Sequence, residues 1–239
     1  MKKLFALLTS NKQKGQVRSI EMKGDESTLY IYDAIVSTAA ESEFWGGISA
    51  EELVPQIRAI KGGTLHLRIN SPGGDVFAAQ AIVAAIRDTG ATVVAHIDGF
   101  AASAATVIAT AADQVEISDG ALYMIHCGWT MAIGNANDMR ATADLLDKVD
   151  ATIVSQYAAR TGKPADEVKA LMEAETWMSA QEAVDAGFAN KVCAPTKTKN
   201  QWDLSAYDKA PQQAPEGVSN EHREYLARQV RVKTLATNL

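Results

Sequence analysis

Cysteine is scarce: the 239 residues hold two, Cys127 and Cys193, far apart and in no CxxC pair. That excludes a disulfide framework and gives no zinc-site spacing, and it fits a reducing cytoplasm. Basic residues are outnumbered, 23 Lys and Arg against 29 Asp and Glu, for a net charge of −6. Nucleic acid as the main partner would favour the opposite balance. No apolar run approaches the ~20 residues of a membrane span. Leu4 to Leu8, after Lys2 and Lys3, is also short of the ~7–15 residues of a secretory apolar core. The N-terminus therefore reads as a flexible or partner-docking arm. Internal repeats are absent too. The remaining composition, 47% hydrophobic and 22% charged, suits a soluble globular protein with one main domain plus extensions.

Strand and helix patterns alternate along the chain. "STLYIYDAIV" (27–36) reads as a strand, and "ISAEELVPQIRAI" as a helix with capping-box spacing between Ser49 and Glu52. "TLHLRIN" (64–70) is a strand ended by the turn "SPGG". Asp75 suits the N-cap of the next helix, with Val76, Ala79, Val83 and Ile86 on one face and Gly90 at its end. "ATVVAHID" is a strand, the Ser103 segment a helix, and "DQVEIS" and "ALYMIHC" short strands. From Asn135 to Arg160, apolar residues recur at three- and four-residue steps, a helix of about seven turns. Gly162 and Pro164 separate it from "PADEVKALMEA", and Ser179 with Glu182 repeats the capping box. Past Pro195 the chain turns polar, a linker followed by a charged helical segment, "NEHREYLARQVRVKTL". Such alternation predicts an α/β domain of ββα or βαβ units. Sites in parallel sheets lie beyond the C-terminal strand ends. "NSPGG", "DGFAAS" and "HCG" all fall there.

Each of these loops admits a plain and a chemical reading. Pro72, Gly73 and Gly74 make a strand-to-helix turn, and their backbone N–H groups are also unobstructed donors suited to an oxyanion. Ser103, the one hydroxyl near the start of "DGFAASAATVIATAAD", is either an N-cap or a nucleophile awaiting a base. Glycine does not flank it in the G-x-S-x-G pattern of α/β-hydrolases. Four histidines could supply the base. His222 lies in the polar tail and His66 inside a strand, while His96 and His126 both end strands. Spacing does not choose between those two.

Together, "INSPGGD" (69–75), "DGFAASAA" (98–105), "MIHCG" (124–128) and "ETWMSAQEAVDAGFANKV" (175–192) resemble the Clp protease proteolytic subunit, over roughly residues 28–193. "IYDAIVSTAAESEFWGGISAEEL" and "ETWMSA" are most similar to Clp-like enzymes of phage origin that act in capsid (prohead) maturation. The resemblance implies an α/β, ClpP/crotonase-like fold of stacked ββα units with a long protruding handle helix. It implies residues 1–27 as an arm, 28–195 as a serine protease domain, and 196–239 as a linker and short C-terminal helix.

It also implies roles. Ser103 corresponds to the nucleophile, His126 to the general base, and the N–H groups of Gly74 and Ala104 to the oxyanion hole. Glu175 stands where the family usually has aspartate as the third triad member. The activity implied is cytoplasmic peptide-bond hydrolysis through an acyl-enzyme, in prohead maturation or general protein degradation, with no metal or cofactor. The partners implied are a protein or peptide substrate, a homo-oligomeric ring (heptamer or double heptamer), and an ATP-driven unfoldase or phage capsid proteins. Neither nucleic acid nor membrane is among them. Two other readings remain: a catalytically inactive subunit serving assembly or scaffolding, and a crotonase-type acyl-CoA enzyme. Signal peptide peptidases of the same superfamily use a lysine base and usually a membrane anchor, neither of which is evident here.

Overall fold

The computed structural model describes residues 2–11, 20–195 and 202–211. The helix expected over 220–235 lies outside the described residues. Among the described residues, no helix is long and apolar enough to cross a membrane.

Helix α1 (Lys2–Asn11) occupies the stretch expected as an arm, and its Leu7 and Asn11 are buried. Strands β1 (Glu21–Lys23) and β2 (Glu26–Ile31) form a hairpin, and β3 (Ile35–Val36) pairs with β4 (Ile48–Ser49). Between them lies α2 (Ala39–Trp45), opened by a reciprocal capping box of Thr38 and Glu41 that the sequence reading passed over. Then follow α3 (Ala50–Ala59), β5 (Thr64–Ser71), α4 (Val76–Asp88), β6 (Thr92–Ala102), α5 (Ala104–Ala109), β7 (Gln114–Ser118) and β8 (Leu122–Ile125). The expected N-caps hold: Ser49 accepts from the Glu52 N–H and Asp75 from the Ala78 N–H. The chain continues through α6 (Ala136–Thr161), α7 (Ala165–Glu173), β9 (Thr176–Ser179), α8 (Ala180–Asp185) and β10 (Lys191–Cys193).

Strands β2, β5, β6, β7 and β10 lie side by side and parallel. β6 is the longest at 11 residues and changes partner along its length. Val94–Ile97 pair with β7, whereas Phe100–Ala102 pair with β8. β8 in turn carries β9 antiparallel, with Ile125 opposite Thr176. The ends of β5, β6 and β8 and the start of β9 are thereby brought to one edge.

Alternating residues of the strands fill the core. Leu29, Leu67, Ile69 and Ile97 join Leu53, Ile57, Ile82 and Val107 of the helices in one cluster. The intervening positions are polar. The Arg68 guanidinium donates two bonds to Asp98, 2.8 Å and 2.6 Å long, and Tyr32 donates a third of 2.6 Å. Long α6 buries only Ile153, Val154 and Tyr157 against this body, and its first half stays largely exposed, including Met139 and Leu145.

Asp33, buried between β2 and β3, accepts the Ser71 hydroxyl at its carbonyl, 2.6 Å away, and the Ala34 N–H at its carboxyl, 2.7 Å away. Burial pushes that carboxyl from 3.8 up to about 6, against the N–H groups of Ala34 and Gly47 that favour the anion. Between those two values the folded chain keeps a proton that the unfolded chain has released, so stability falls as pH rises through the window. Asp33→Asn is expected to flatten this fall, which is at most about 1.4 kcal/mol per pH unit. Urea midpoints between pH 4 and 7 measure it.

Candidate functional site

The turn after β5 is glycine for steric reasons. Gly73 has φ +91°, and a β-carbon there would lie 2.5 Å from the Ala102 carbonyl and 2.8 Å from Ser103 Cβ. Gly74 has φ +148°, and its β-carbon would lie 2.1 Å from the Ile35 carbonyl. Ile35 is stitched to this turn by its N–H to Gly73 O and by its carbonyl to Asp75 N–H, both 2.9 Å. Those bonds use the residues on either side of Gly74, so the Gly74 N–H takes no part in them.

Ser103 sits where β6 turns into α5, with φ +55° and ψ −124°. For a residue with a side chain such a conformation costs ~1–3 kcal/mol and is held by its surroundings. Here its N–H donates to Met124 O (2.9 Å), and its carbonyl accepts the Thr106 N–H (2.9 Å) and hydroxyl (2.5 Å). Buried Tyr157 braces that hydroxyl from α6 at 2.6 Å. The Ser103 side chain makes no capping bond to α5. Its Oγ lies instead 2.7 Å from His126 Nε2. The plain N-cap reading is thereby set aside. Ala104 opens α5, and a first-turn N–H has no acceptor within its helix.

His126 follows β8 directly and is half-buried. His96 is elsewhere, 3.0 Å from His66 Nδ1 and 3.3 Å from the Glu116 carboxylate. Strand pairing thus brings His126, and not His96, beside Ser103. For the serine to donate, Nε2 must carry no proton, which places the ring proton on Nδ1. At neighbouring Cys127, burial first, with Asp150 adding, pushes the thiol up to about 11, which disfavours the reactive thiolate.

Glu175 immediately precedes β9, in register beyond the Ile125–Thr176 pair, with φ +48°. Its carboxylate accepts from Trp177 Nε1 (3.2 Å), the Asp208 N–H (3.0 Å) and the Lys209 N–H (2.6 Å). The structure thus joins Ser103 to His126, sets the Gly74 turn against them, and engages Glu175 with residues 208 and 209.

Gly74, Ser103 and His126 open on a cavity of 590 Å³, whose walls include Ile35, Trp45, Phe77, Met131, Leu146 and Tyr207. Tyr207 escaped the sequence reading. It is buried, its hydroxyl donates to Pro72 O, and its ring meets His126 edge-on at 5.3 Å. Burial pushes its phenol well above the ordinary range; the Ser103 side chain opposes the shift and Glu175 adds to it. Among the described residues, no group of three or more His, Cys, Asp or Glu could hold a metal ion. The arrangement can activate a hydroxyl and receive an anion beside an apolar cavity.

The family model for Clp protease matches residues 48–196. The ATP-dependent Clp protease proteolytic subunits of Streptococcus pneumoniae strains Hungary19A-6 and CGSP14 are each 35% identical over 134 residues, 54% of this chain and 68% of theirs. Among solved structures, a mutant ClpP1 from Listeria monocytogenes matches with a TM-score of 0.58 at 25% identity, covering 70% of this chain and 91% of that one.

Gly74→Ala is expected to cost about 2 kcal/mol or more, because strain and a backbone clash coincide. Gly90→Ala, at φ +65° with open space around it, should cost about 1 kcal/mol. Denaturant melts of the two variants beside the wild type give the comparison.

Proposed function

Because the chain belongs to the Clp protease family of serine endopeptidases, we propose that Ser103 is its nucleophile and His126 its general base. The observation that carries this is the 2.7 Å contact between Ser103 Oγ and His126 Nε2. As Oγ attacks the scissile carbonyl, Nε2 takes its proton, and the carbonyl oxygen becomes an anion held by the N–H groups of Gly74 and Ala104. His126 returns the proton to the leaving amine, and water repeats the sequence on the ester. Glu175 is the candidate to steady the charged imidazole once it faces His126. The apolar cavity favours a large apolar side chain beside the scissile bond. A crotonase-type acyl-CoA enzyme would need the backbone donors but not a serine bonded to an imidazole.

The likeness of its motifs to phage-type enzymes supports capsid maturation as the setting, in the cytoplasm, with capsid proteins as substrates and general protein degradation as the other role. The exposed first half of α6 suits contact between copies in a heptameric ring or a pair of rings. An ATP-driven unfoldase would feed such a chamber, as the description of the streptococcal relatives as ATP-dependent subunits suggests.

Fluorogenic peptides with an apolar residue before the cleaved bond test the chemistry. Ser103→Ala and His126→Ala are each expected to lower kcat/KM at least about 10³-fold, or to the rate without enzyme. Turnover surviving in Ser103→Ala would overturn the assignment.

A further inference from the structure

Residues 202–209 lie over the candidate site and are tied down at every turn. Asn11 of α1 clamps Asp203 with two bonds, its Nδ2 donating to the Asp203 carbonyl (2.9 Å) and its Oδ1 accepting the Asp203 N–H (2.6 Å). Trp202, 2% exposed, donates its indole N–H to Asn70 Oδ1 at 3.3 Å, just before the glycine turn. Leu204 and Ala206 are buried as well. Tyr207 then reaches the centre, where its hydroxyl takes the carbonyl of Pro72 and its ring lies against His126 and, at 5.9 Å, Trp177. The next two backbone N–H groups, of Asp208 and Lys209, bind the Glu175 carboxylate, and Lys209 Nζ donates to Ala174 O. Hydrogen bonds to an ionised carboxylate are roughly twice as strong as neutral ones.

Two requirements of the proposed chemistry meet this one segment. A substrate carbonyl must reach Ser103 in the cavity that Tyr207 lines, and Glu175 must turn to His126 while two strap amides hold it. We propose that residues 202–209 form an intramolecular inhibitory strap, which covers the Ser103–His126 pair and withholds Glu175 from it until the strap is displaced. The inference rests on the Ser103–His126 reading above and adds regulation of that same site. Displacement widens the cavity and frees the carboxylate in one step, so access and triad completion are coupled. An apparent rate at Ser103 then scales with the fraction of molecules whose strap is open.

The second-order rate of Ser103 modification by a fluorophosphonate probe, followed by intact mass on the full chain, measures that fraction. Asn11→Ala removes both bonds to Asp203 and touches none of the reacting groups. Tyr207→Ala empties the space over His126. Both are expected to label at least about fivefold faster than wild type, the effect of losing about 1 kcal/mol of closure. Equal or slower labelling in both would overturn the strap while leaving the Ser–His reading intact. No labelling of Ser103 in any variant would instead sink that reading. Hydrogen exchange on the wild type covers variants that do not fold. The Asp208 and Lys209 amides should be protected before modification and lose protection at least tenfold once the adduct occupies the cavity. Unchanged protection would count against displacement.

Discussion

Where β6 leaves β7 and takes up β8, halfway along its length, the sheet acquires a corner, and the site is built on that corner. The change of partner carries the end of β6 beside β8, so Ser103, which ends the first, meets His126, which follows the second. Parallel pairing with β5 brings the glycine turn to the same level, where it approaches Ser103 too closely for any β-carbon at Gly73. The strained turn at Ser103 is the local cost of lifting a hydroxyl out of a strand end. Thr106, Tyr157 and the Met124 carbonyl offset it through hydrogen bonds made in a buried setting.

The proposed nucleophile therefore has its position written into backbone geometry, while the proposed third member of the triad does not. Glu175 sits on a left-handed residue at a strand entry, and its carboxylate is held by the segment packed above it. If His126 is its other partner, as proposed, that carboxylate is a natural point of control. On the proposed reading, the chain is folded with serine and histidine in contact while the carboxylate is held by the segment above it. Binding energy from an extended substrate or a neighbouring subunit would be the natural means of exchange.

Much of the site was legible because its signals are local. The S-x-x-E caps, the "SPGG" turn and the run of small residues around Ser103 each announce a backbone event within a few positions. The choice between His96 and His126 was not legible from spacing, since it depends on which strand pairs with which half of β6. Positive φ at Ser103 and Glu175 was hidden because neither is glycine or asparagine. The cap at Thr38 follows the same grammar as those at Ser49 and Ser179 and was readable. So was the strap in part: Trp202, Leu204 and Ala206 alternate within a polar stretch, a strand-like pattern with one face to bury. Its occupancy of the site, against residues as far as 135 positions earlier, was beyond any local pattern.

The most direct test of the central claim is pre-steady-state hydrolysis of a p-nitrophenyl ester, with the acylated protein trapped in acid and mapped by mass spectrometry. A burst of p-nitrophenol with one acyl group on Ser103 is the result this account requires. An acyl group on another residue, Cys127 included, or steady release with no acyl-enzyme, would contradict it.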